Sequence, residues 1–455
     1  MASSGKSNSV ELIAAVAERL RSAVPPKARL ILGLSGGMDS VALLDILAGL
    51  ATELHFSLRA VHVNHGISPN APQWAAFCES LCRSRQIPFV LQQVSLNYDA
   101  GLGLEGAARQ ARYEALARQA AACDADFIVL AHHRDDQAET LLLHLLRGAG
   151  PRGLAGMPAS RSIQGARATL LRPLLDVPRG DIEAHARGTG LEWVEDESNH
   201  DTSLKRNFLR SRILPELDKA FPGASQAIVR SASNISEAGE LLDVLAAEDI
   251  ARIGSNDGLN APSLLGLGEA RARNVLRRWC EIHGAPWPGL AALKELLRQA
   301  SLASKAGSIH IRFGAWSFRL YRGTLYLEPV LPTVPEDFAL TWQGEAELHL
   351  ASLGGILRFH QGDGDGLSVT RLHASTVTLG LRRGGELLQP DGRRPHRTLK
   401  YLFQESGIPP WRRDRLPLVF CEGNLVSVPG VGIDCHWRAG PGESGMIVTW
   451  ESLAG

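Results

Sequence analysis

Ser35-Gly36-Gly37-Met38-Asp39-Ser40 brings two glycines, two hydroxyls and one carboxylate together in six consecutive residues. Glycines let a backbone turn sharply and approach an anion closely. A helix opening just behind such a turn points its free amides and positive dipole end at that anion. Ser35 and Ser40 add hydroxyl donors, so the stretch reads as a phosphate cradle. It is not the common P-loop, because no Gly-x-x-x-x-Gly-Lys-Ser/Thr occurs and no lysine follows the glycines. A carboxylate beside a polyphosphate repels it unless a cation lies between them. Asp39 is therefore a candidate magnesium ligand.

Three further groups could serve the same chemistry. His65 follows the apolar run ending VHVN, and His132 follows FIVLA. In AHHRDDQAET, Asp135, Asp136 and Glu139 are spaced to share a helix face, which suits magnesium or an amine substrate. Acidic residues opening a helix are also favoured by its dipole, the competing explanation. In EGAARQARY, Glu105, Arg109 and Arg112 follow helical spacing. They read either as an exposed ion-pair face or as planar guanidinium groups for a transferring α-phosphate or an AMP leaving group.

The elements that must position these residues are legible as alternating strands and helices. Leu30 to Leu34 reads as a buried strand, and Val41, Leu43, Leu44 and Leu47 recur at helical spacing behind the glycine turn. Strands are expected at 58–64, 89–94 and 127–131, with helices at 10–24, 73–85, 105–122 and 135–147. That alternation predicts an α/β fold with a doubly wound parallel sheet. Ligands bind outside the carboxyl ends of such strands, where Ser35, His65 and His132 fall.

Further along, RGAGPRGLAGM is glycine-rich and basic, 163–175 is a strand region ending RPLL, and 178–188 is a helix. LEWVEDESN leads to His200, and 205–217 is a helix with a basic face, broken near Pro215. Its Arg206, Arg210 and Arg212 suit either solvated surface or a phosphate-backbone track. Beyond Pro222 the pattern predicts long helices at 224–253, 264–280 and 290–300. Arg271, Arg273, Arg277 and Arg278 crowd one segment, as an RNA-binding surface or a solvated face. Short strands over 308–327 precede a proline-rich linker, PVLPTVP. After it strands dominate, and 382–415 interleaves nine basic residues with Tyr401, Phe403 and Trp411, a composition that suits RNA.

Composition sets the outer bounds. The 455 residues predict two to four domains, and 44% hydrophobic with 21% charged residues is ordinary globular composition. Lys+Arg and Asp+Glu are equal at 48 each, so bulk charge indicates no nucleic-acid partner, while local basic faces remain. Six cysteines without a C-x-x-C pair argue against zinc ribbons and iron–sulfur clusters and suit reduced thiols. MASSGKSNSV lacks a signal-peptide core and no run of eighteen apolar residues occurs, so the expectation is a cytoplasmic protein without a membrane partner.

SGGMDS after a strand resembles the PP-loop of the N-type ATP pyrophosphatases, which cleave ATP between its α and β phosphates. SGGMDS, VHVNHG, EGAARQARY, AHHRDDQAET, RGAGPRGLAGM, RPLL and EDESNHDTSLKRNFLR, in this order, together with the arginine-rich C-terminal stretch, resemble the tRNA(Ile)-lysidine synthetases. That resemblance implies a PP-loop catalytic domain at 1–218, a mainly helical tRNA-binding domain at 219–330 and a smaller strand-rich α+β domain at 336–455 that also binds tRNA. The implied reaction is ATP-dependent ligation of free L-lysine to the wobble cytidine of isoleucine tRNA with a CAU anticodon. It passes through an adenylated cytosine and releases pyrophosphate and AMP.

On this reading Ser35, Gly36, Gly37, Met38, Asp39, Ser40 and His65 bind ATP, and Asp39 and Asp136 hold Mg2+. Arg112 and His132 stabilise the adenylate. Asp136 and Glu139 hold the lysine ammonium and take its proton, with their division of labour open. Arg206, Arg382, Arg397 and Lys400 are assigned to substrate. The apolar stripe of the long helix at 224–253 serves as a core or as the face of a homodimer. Competing readings are a thiolating PP-loop enzyme, which wants clustered cysteines, and an inactive RNA-binding protein, which has no use for the carboxylate set. An amidotransferase would need a glutaminase domain with a nucleophilic cysteine.

Overall fold

The computed structural model describes residues 2–95, 103–163, 167–197, 201–255, 257–302, 309–335 and 337–452, with side chains described from residue 9 and, after the first gap, from residue 106. His200 and the Glu105 side chain, both singled out from sequence, lie outside the described residues. The chain divides into two compact units, Met1–Leu241 and Leu242–Gly455.

In the first unit α1 (Ala2–Ala23) leads to β1 (Arg29–Gly33), α2 (Met38–Leu50), β2 (Ser57–Asn64), α3 (Ala71–Ser84) and β3 (Phe89–Gln93). Then come α4 (Gly103–Ala122), β4 (Phe127–Val129), α5 (Arg134–Leu146), the short α6 (Pro151–Leu154) and the hairpin β5 (Ser160–Ser162) and β6 (Thr169–Leu171). They are followed by α7 (Arg179–Gly188), α8 (Lys205–Phe208), a π turn over Leu209–Ile213, α9 (Leu214–Ala220) and α10 (Ala224–Ile253), within which the division falls.

The strand order is β3-β2-β1-β4-β6-β5. All pairings are parallel except β5 with β6, so the expected parallel sheet ends in an antiparallel edge hairpin. Successive side chains of β1 enter opposite cores, as a period of two requires. Leu30 and Leu32 pack with Val16, Leu43, Leu47 and Ile182 on one face. Ile31 packs with Val61, Leu116, Ile128 and Leu170 on the other. Both faces are therefore covered, which explains why the Leu30–Leu32 run of β1 is continuously apolar instead of alternating. The chain reverses its direction of sheet building between β1 and β4, and the crevice at such a point is where α/β sheets bind ligands. The cradle follows β1 and His132 follows β4.

Two helix expectations are corrected. The segment after Lys205 does not break at Pro215. The change of geometry comes earlier, as the π turn, and Pro215 sits in the first turn of α9 where its missing N–H costs nothing. The helix expected over 264–280 is two, Ala261–Gly266 and Glu269–Ile282, separated at Gly268 with φ +82°, a conformation that glycine adopts without strain.

The second unit opens with a five-stranded antiparallel sheet built from Gly254–Ser255, Gly258–Asn260, Ile309–Phe313, Trp316–Tyr321 and Thr324–Pro329. Trp279, Leu293, Leu296 and Phe318 sit in the core between it and the helices Glu269–Ile282 and Gly289–Leu302. This region is thus more sheet-rich than its helical periodicity indicates. A five-stranded and a four-stranded sheet follow, with Leu357, Phe359, Leu379, Val419 and Val426 sharing one core. No helix among the described residues is long and apolar enough to cross a membrane.

Candidate active site

The cradle is held by its own side chains. Ser40 Oγ lies 3.0 Å from Ser35 Oγ, accepts from Gly36 N at 3.2 Å and donates to Gly37 O at 2.9 Å. Ser35 Oγ accepts from Gly37 N at 3.3 Å. Both serines are thus committed to shaping the turn as well as offering hydroxyls. Gly36 has φ +90°, and a Cβ there would stand 2.8 Å from Val194 Cγ2 and 3.1 Å from Cys78 Sγ, so only glycine fits. Gly36 O accepts from Val194 N at 3.0 Å, which ties the turn to the LEWVEDESN segment. Met38 is buried at the head of α2.

Asp39 is the unsettled group here. Its Oδ1 is buried and accepts no hydrogen bond, and its Oδ2 lies 3.7 Å from His133 Nε2. Burial pushes its carboxyl above the ordinary value despite His133 and Arg179 nearby. A buried carboxylate oxygen without a partner is what a cation would satisfy.

The start of α5 faces this group. His133 N donates to Asp136 Oδ2 at 3.0 Å, capping the helix, and the His133 ring stands 3.5 Å from the same carboxylate. Asp136 is nearly buried, which alone would raise its pKa. His133 and Arg206 outweigh burial and hold it near 2. Glu139 is fully buried. It accepts from Arg206 Nε at 2.8 Å and from Arg210 Nε at 2.6 Å, and Arg210 Nη2 bridges Asp136 Oδ1 at 2.9 Å and Glu139 Oε2 at 3.1 Å. Both oxygens of each carboxylate are engaged. Arg206, read from sequence as a substrate contact, here holds Glu139 in place.

Arg210, read from sequence as solvated surface or part of a phosphate-backbone track, is the residue whose place in the site was missed. The signal was available: Arg206 and Arg210 repeat at four residues and Asp136 and Glu139 at three, so two matching helix faces could zip together. Asp135 and Glu139, four residues apart, line one cavity of about 560 Å³ with Arg134, Arg179, Arg210 and Asp218, and Asp136 is absent from its lining.

The other strand-end residues are placed as follows. Burial, with Arg112 and His62 nearby, pushes the His65 imidazole down to about 4, and neither ring nitrogen has a hydrogen-bond partner. Arg112 itself is exposed. Burial pushes His132 down to about 3, with Asp136 opposing and Arg172, Arg109 and Arg206 adding to the fall, and its Nδ1 has no partner. His62 is buried beneath the cradle with Nδ1 2.9 Å from Leu34 O. RGAGPRGLAGM packs on α5, where Gln137 exchanges two bonds with Met157 at 2.7 and 2.6 Å.

The basic segments of the second unit sort into two kinds. Arg271, Arg273, Arg277 and Arg278 are all paired, with Asp249, Glu269, Asp243 and Glu281. Arg412 binds Glu328 and Asp257 at 2.8 Å each, Arg413 donates to Tyr321 Oη at 2.9 Å, and Arg415 donates to backbone carbonyls. Arg412 and Arg413 fasten the segment to the middle sheet, and Arg415 ties it to Ser352 and to the linker at Leu331 and Pro332. Arg382 lies 3.9 Å from Asp414, and Arg397 pairs with Glu405 at 3.1 Å while stacking on Tyr401 at 5.0 Å. Arg393, Arg394 and Lys400 are exposed on the surface.

Comparison with known proteins agrees with this arrangement. Residues 9–217 match the PP-loop domain, residues 259–326 the TilS substrate binding domain, and residues 377–450 the TilS substrate C-terminal domain. The chain is 41% identical over 433 residues to the tRNA(Ile)-lysidine synthase of Nitrosomonas europaea, covering 95% of this chain and 93% of the relative. It is 41% identical over 430 residues to that of Aromatoleum aromaticum, covering 94% and 99%. The match to the Escherichia coli O157:H7 enzyme is 37% over 439 residues, covering 94% and 97%. A cradle at the sheet's switch point, the carboxylates facing it and relatives matched nearly end to end place the chain in the tRNA(Ile)-lysidine synthase family.

Proposed function

We infer that this protein ligates free L-lysine to the wobble cytidine of isoleucine tRNA bearing CAU, using ATP and releasing pyrophosphate and AMP through an adenylated cytosine. The observation that carries this reading is the unpartnered Asp39 oxygen between the glycine cradle and the His133–Asp136 pair. It sets a polyphosphate site and a carboxylate-rich amine site side by side, which a simple RNA-binding protein would not need.

The cradle from Ser35 to Ser40 orients the β and γ phosphates on backbone amides at the head of α2. Asp39 would hold magnesium, which neutralises phosphate charge, and Asp136 could join it only by releasing Arg210. His132 and His65 stay neutral at physiological pH, so their rings can donate or accept single hydrogen bonds to the nucleotide or base without adding charge. Arg112, exposed near His65, supplies a guanidinium to the anion that forms on adenylation.

Lysine fits the cavity beside α5, where Asp135 and Glu139 suit its two ammonium groups and Arg134 and Arg179 its carboxylate. Glu139 is engaged by two arginines, so the incoming amine competes with Arg210, whose side chain is 36% exposed. Asp136 is held near 2 and is a weak base while His133, Arg206 and Arg210 face it, so it would accept the amine's proton only once Arg210 moves away and that hold is relaxed. We assign catalysis to 1–218 and tRNA binding to 219–330 and 336–455, with Arg382, Arg397 and Lys400 on the RNA side. The exposed Leu241 and Val244 of α10 are the surface a homodimer would use, and the cytoplasm is the compartment where its tRNA is found.

The test is incubation of the full chain with ATP, magnesium, radiolabelled lysine and an isoleucine tRNA transcript bearing CAU, with Asp39→Ala in parallel. Lysine fixed to RNA only with ATP, and lost in the variant, is the expected result. AMP formation without lysine incorporation would point to another nucleophile, and no tRNA-dependent turnover of ATP would remove the enzyme reading.

A further inference from the structure

Three arginines converge on one phenol beside the active site. The guanidinium carbons of Arg109 and Arg161 lie 5.4 and 5.1 Å from the centre of the Tyr113 ring. Arg109 Nη2 and Arg172 Nη2 both donate to Tyr113 Oη, at 3.3 and 3.4 Å. They come from three elements. Arg109 and Tyr113 are one turn apart on α4, Arg161 is in β5, and Arg172 directly follows β6. The antiparallel edge hairpin pairs Arg161 with Leu170, which brings Arg161 and Arg172 to the same end of the sheet as His132.

This group has no acidic counterpart among the described residues. Arg172 is 2% exposed, its Nη1 donates to Pro158 O at 2.7 Å, and its Nε is buried without a partner. A buried arginine normally meets a carboxylate, as even the part-buried Arg206 does. Here it meets a neutral hydroxyl and two like charges, which repel one another. Tyr113 Oη accepts from two guanidinium groups and keeps its own proton to donate onward. Three cations and a hydroxyl donor with no anion among the described side chains suit a phosphate group.

We propose that Tyr113, Arg109, Arg161 and Arg172 form a second phosphate-binding site, separate from the glycine cradle, that takes one phosphate group next to His132. The proposal rests on the function inferred above, which supplies two sources of that chemistry: the RNA backbone flanking the target cytidine and the phosphates of ATP. Exposure of Arg161 on the outer hairpin favours the backbone, because a polyanion approaching from solvent can reach it. Bound there, a backbone phosphate would fix the register in which the target base enters beside His132.

The experiment uses full-length Arg161→Ala and Tyr113→Phe, neither of which removes a buried charge. Binding of the isoleucine tRNA transcript is measured without lysine or ATP between about 50 and about 200 mM salt, and KM for ATP is measured in the ligation assay. The expected result is about tenfold weaker RNA binding in each variant with KM for ATP unchanged, and a salt slope reduced by about 1 in Arg161→Ala only. Unchanged RNA binding with a raised KM for ATP in both variants would assign the same site to the nucleotide. Wild-type values for both quantities in both variants would overturn the proposal. Wild-type ligation run alongside separates this from failure of the functional reading, since absent ligation by the parent chain would sink that reading first.

Discussion

Replacing Arg210 with Met should loosen the start of α5 by an amount the geometry specifies. Arg210 gives Glu139 two hydrogen bonds and Asp136 one, and Glu139 is fully buried with Arg206 as its one other side-chain partner among the described residues. Stripping one partner from a buried ion pair costs about 3–5 kcal/mol. Arg210 is 36% exposed, so solvent screening lowers its share, and Arg206 retains one oxygen of Glu139. The expected loss is about 2 kcal/mol, equivalent to about 30-fold. Because the chain has two units, a global unfolding curve would blur this, and hydrogen exchange of the amides in Arg134–Leu146 is the better readout. Protection there should fall about 30-fold in Arg210→Met while β1 and β2 change little. In the double variant with Glu139→Gln the effects should be less than additive by about 1–2 kcal/mol. Protection of α5 within about threefold of wild type, or strict additivity, would refute a structural ion-pair lock at this site.

Asp39→Asn should abolish lysine ligation yet leave thermal stability equal or higher, because burial raises the Asp39 pKa and its ionised form therefore costs stability above the unfolded value of 3.8; a lowered Tm in calorimetry would contradict this. Gly36→Ala forces a Cβ to within 2.8 Å of Val194 at φ +90° and should cost about 1–3 kcal/mol with a sharply raised KM for ATP, whereas normal ATP kinetics would show that the turn tolerates a side chain. His132 near 3 and His65 near 4 are neutral when folded, while the unfolded chain protonates both near 6.5. In that window the unfolded state binds more protons, so their contribution is present above pH 6.5 and is lost as pH falls toward 4, read as a falling Tm. A Tm constant or rising over that interval would exclude buried neutral imidazoles.

Much of the catalytic unit was legible because its signals are local. The apolar run, the glycine turn and the helical spacing of Val41, Leu43, Leu44 and Leu47 lie within one strand–turn–helix, and tertiary structure only had to agree. The same holds for His132 at a strand end and the acidic residues opening α5. What was hidden depends on partners far away in sequence. Arg210 reaches Glu139 across 71 residues, and whether an arginine faces solvent or a carboxylate is decided by that packing. Likewise Arg271 and Arg412 read as RNA-binding cations until Asp249 and Glu328 are seen to occupy them. The antiparallel hairpin escaped notice because three-residue strands leave too few positions for alternation to show.

The most direct test of the account is the mass of the nucleoside at the wobble position after reaction. Isoleucine tRNA transcript treated with the protein, ATP, magnesium and lysine is digested and its nucleosides are weighed. Loss of one cytidine and gain of a nucleoside heavier by one lysine less one water, with one AMP formed per nucleoside, is the predicted result. An unmodified cytidine, or a sulfur in place of the base oxygen, would contradict the account.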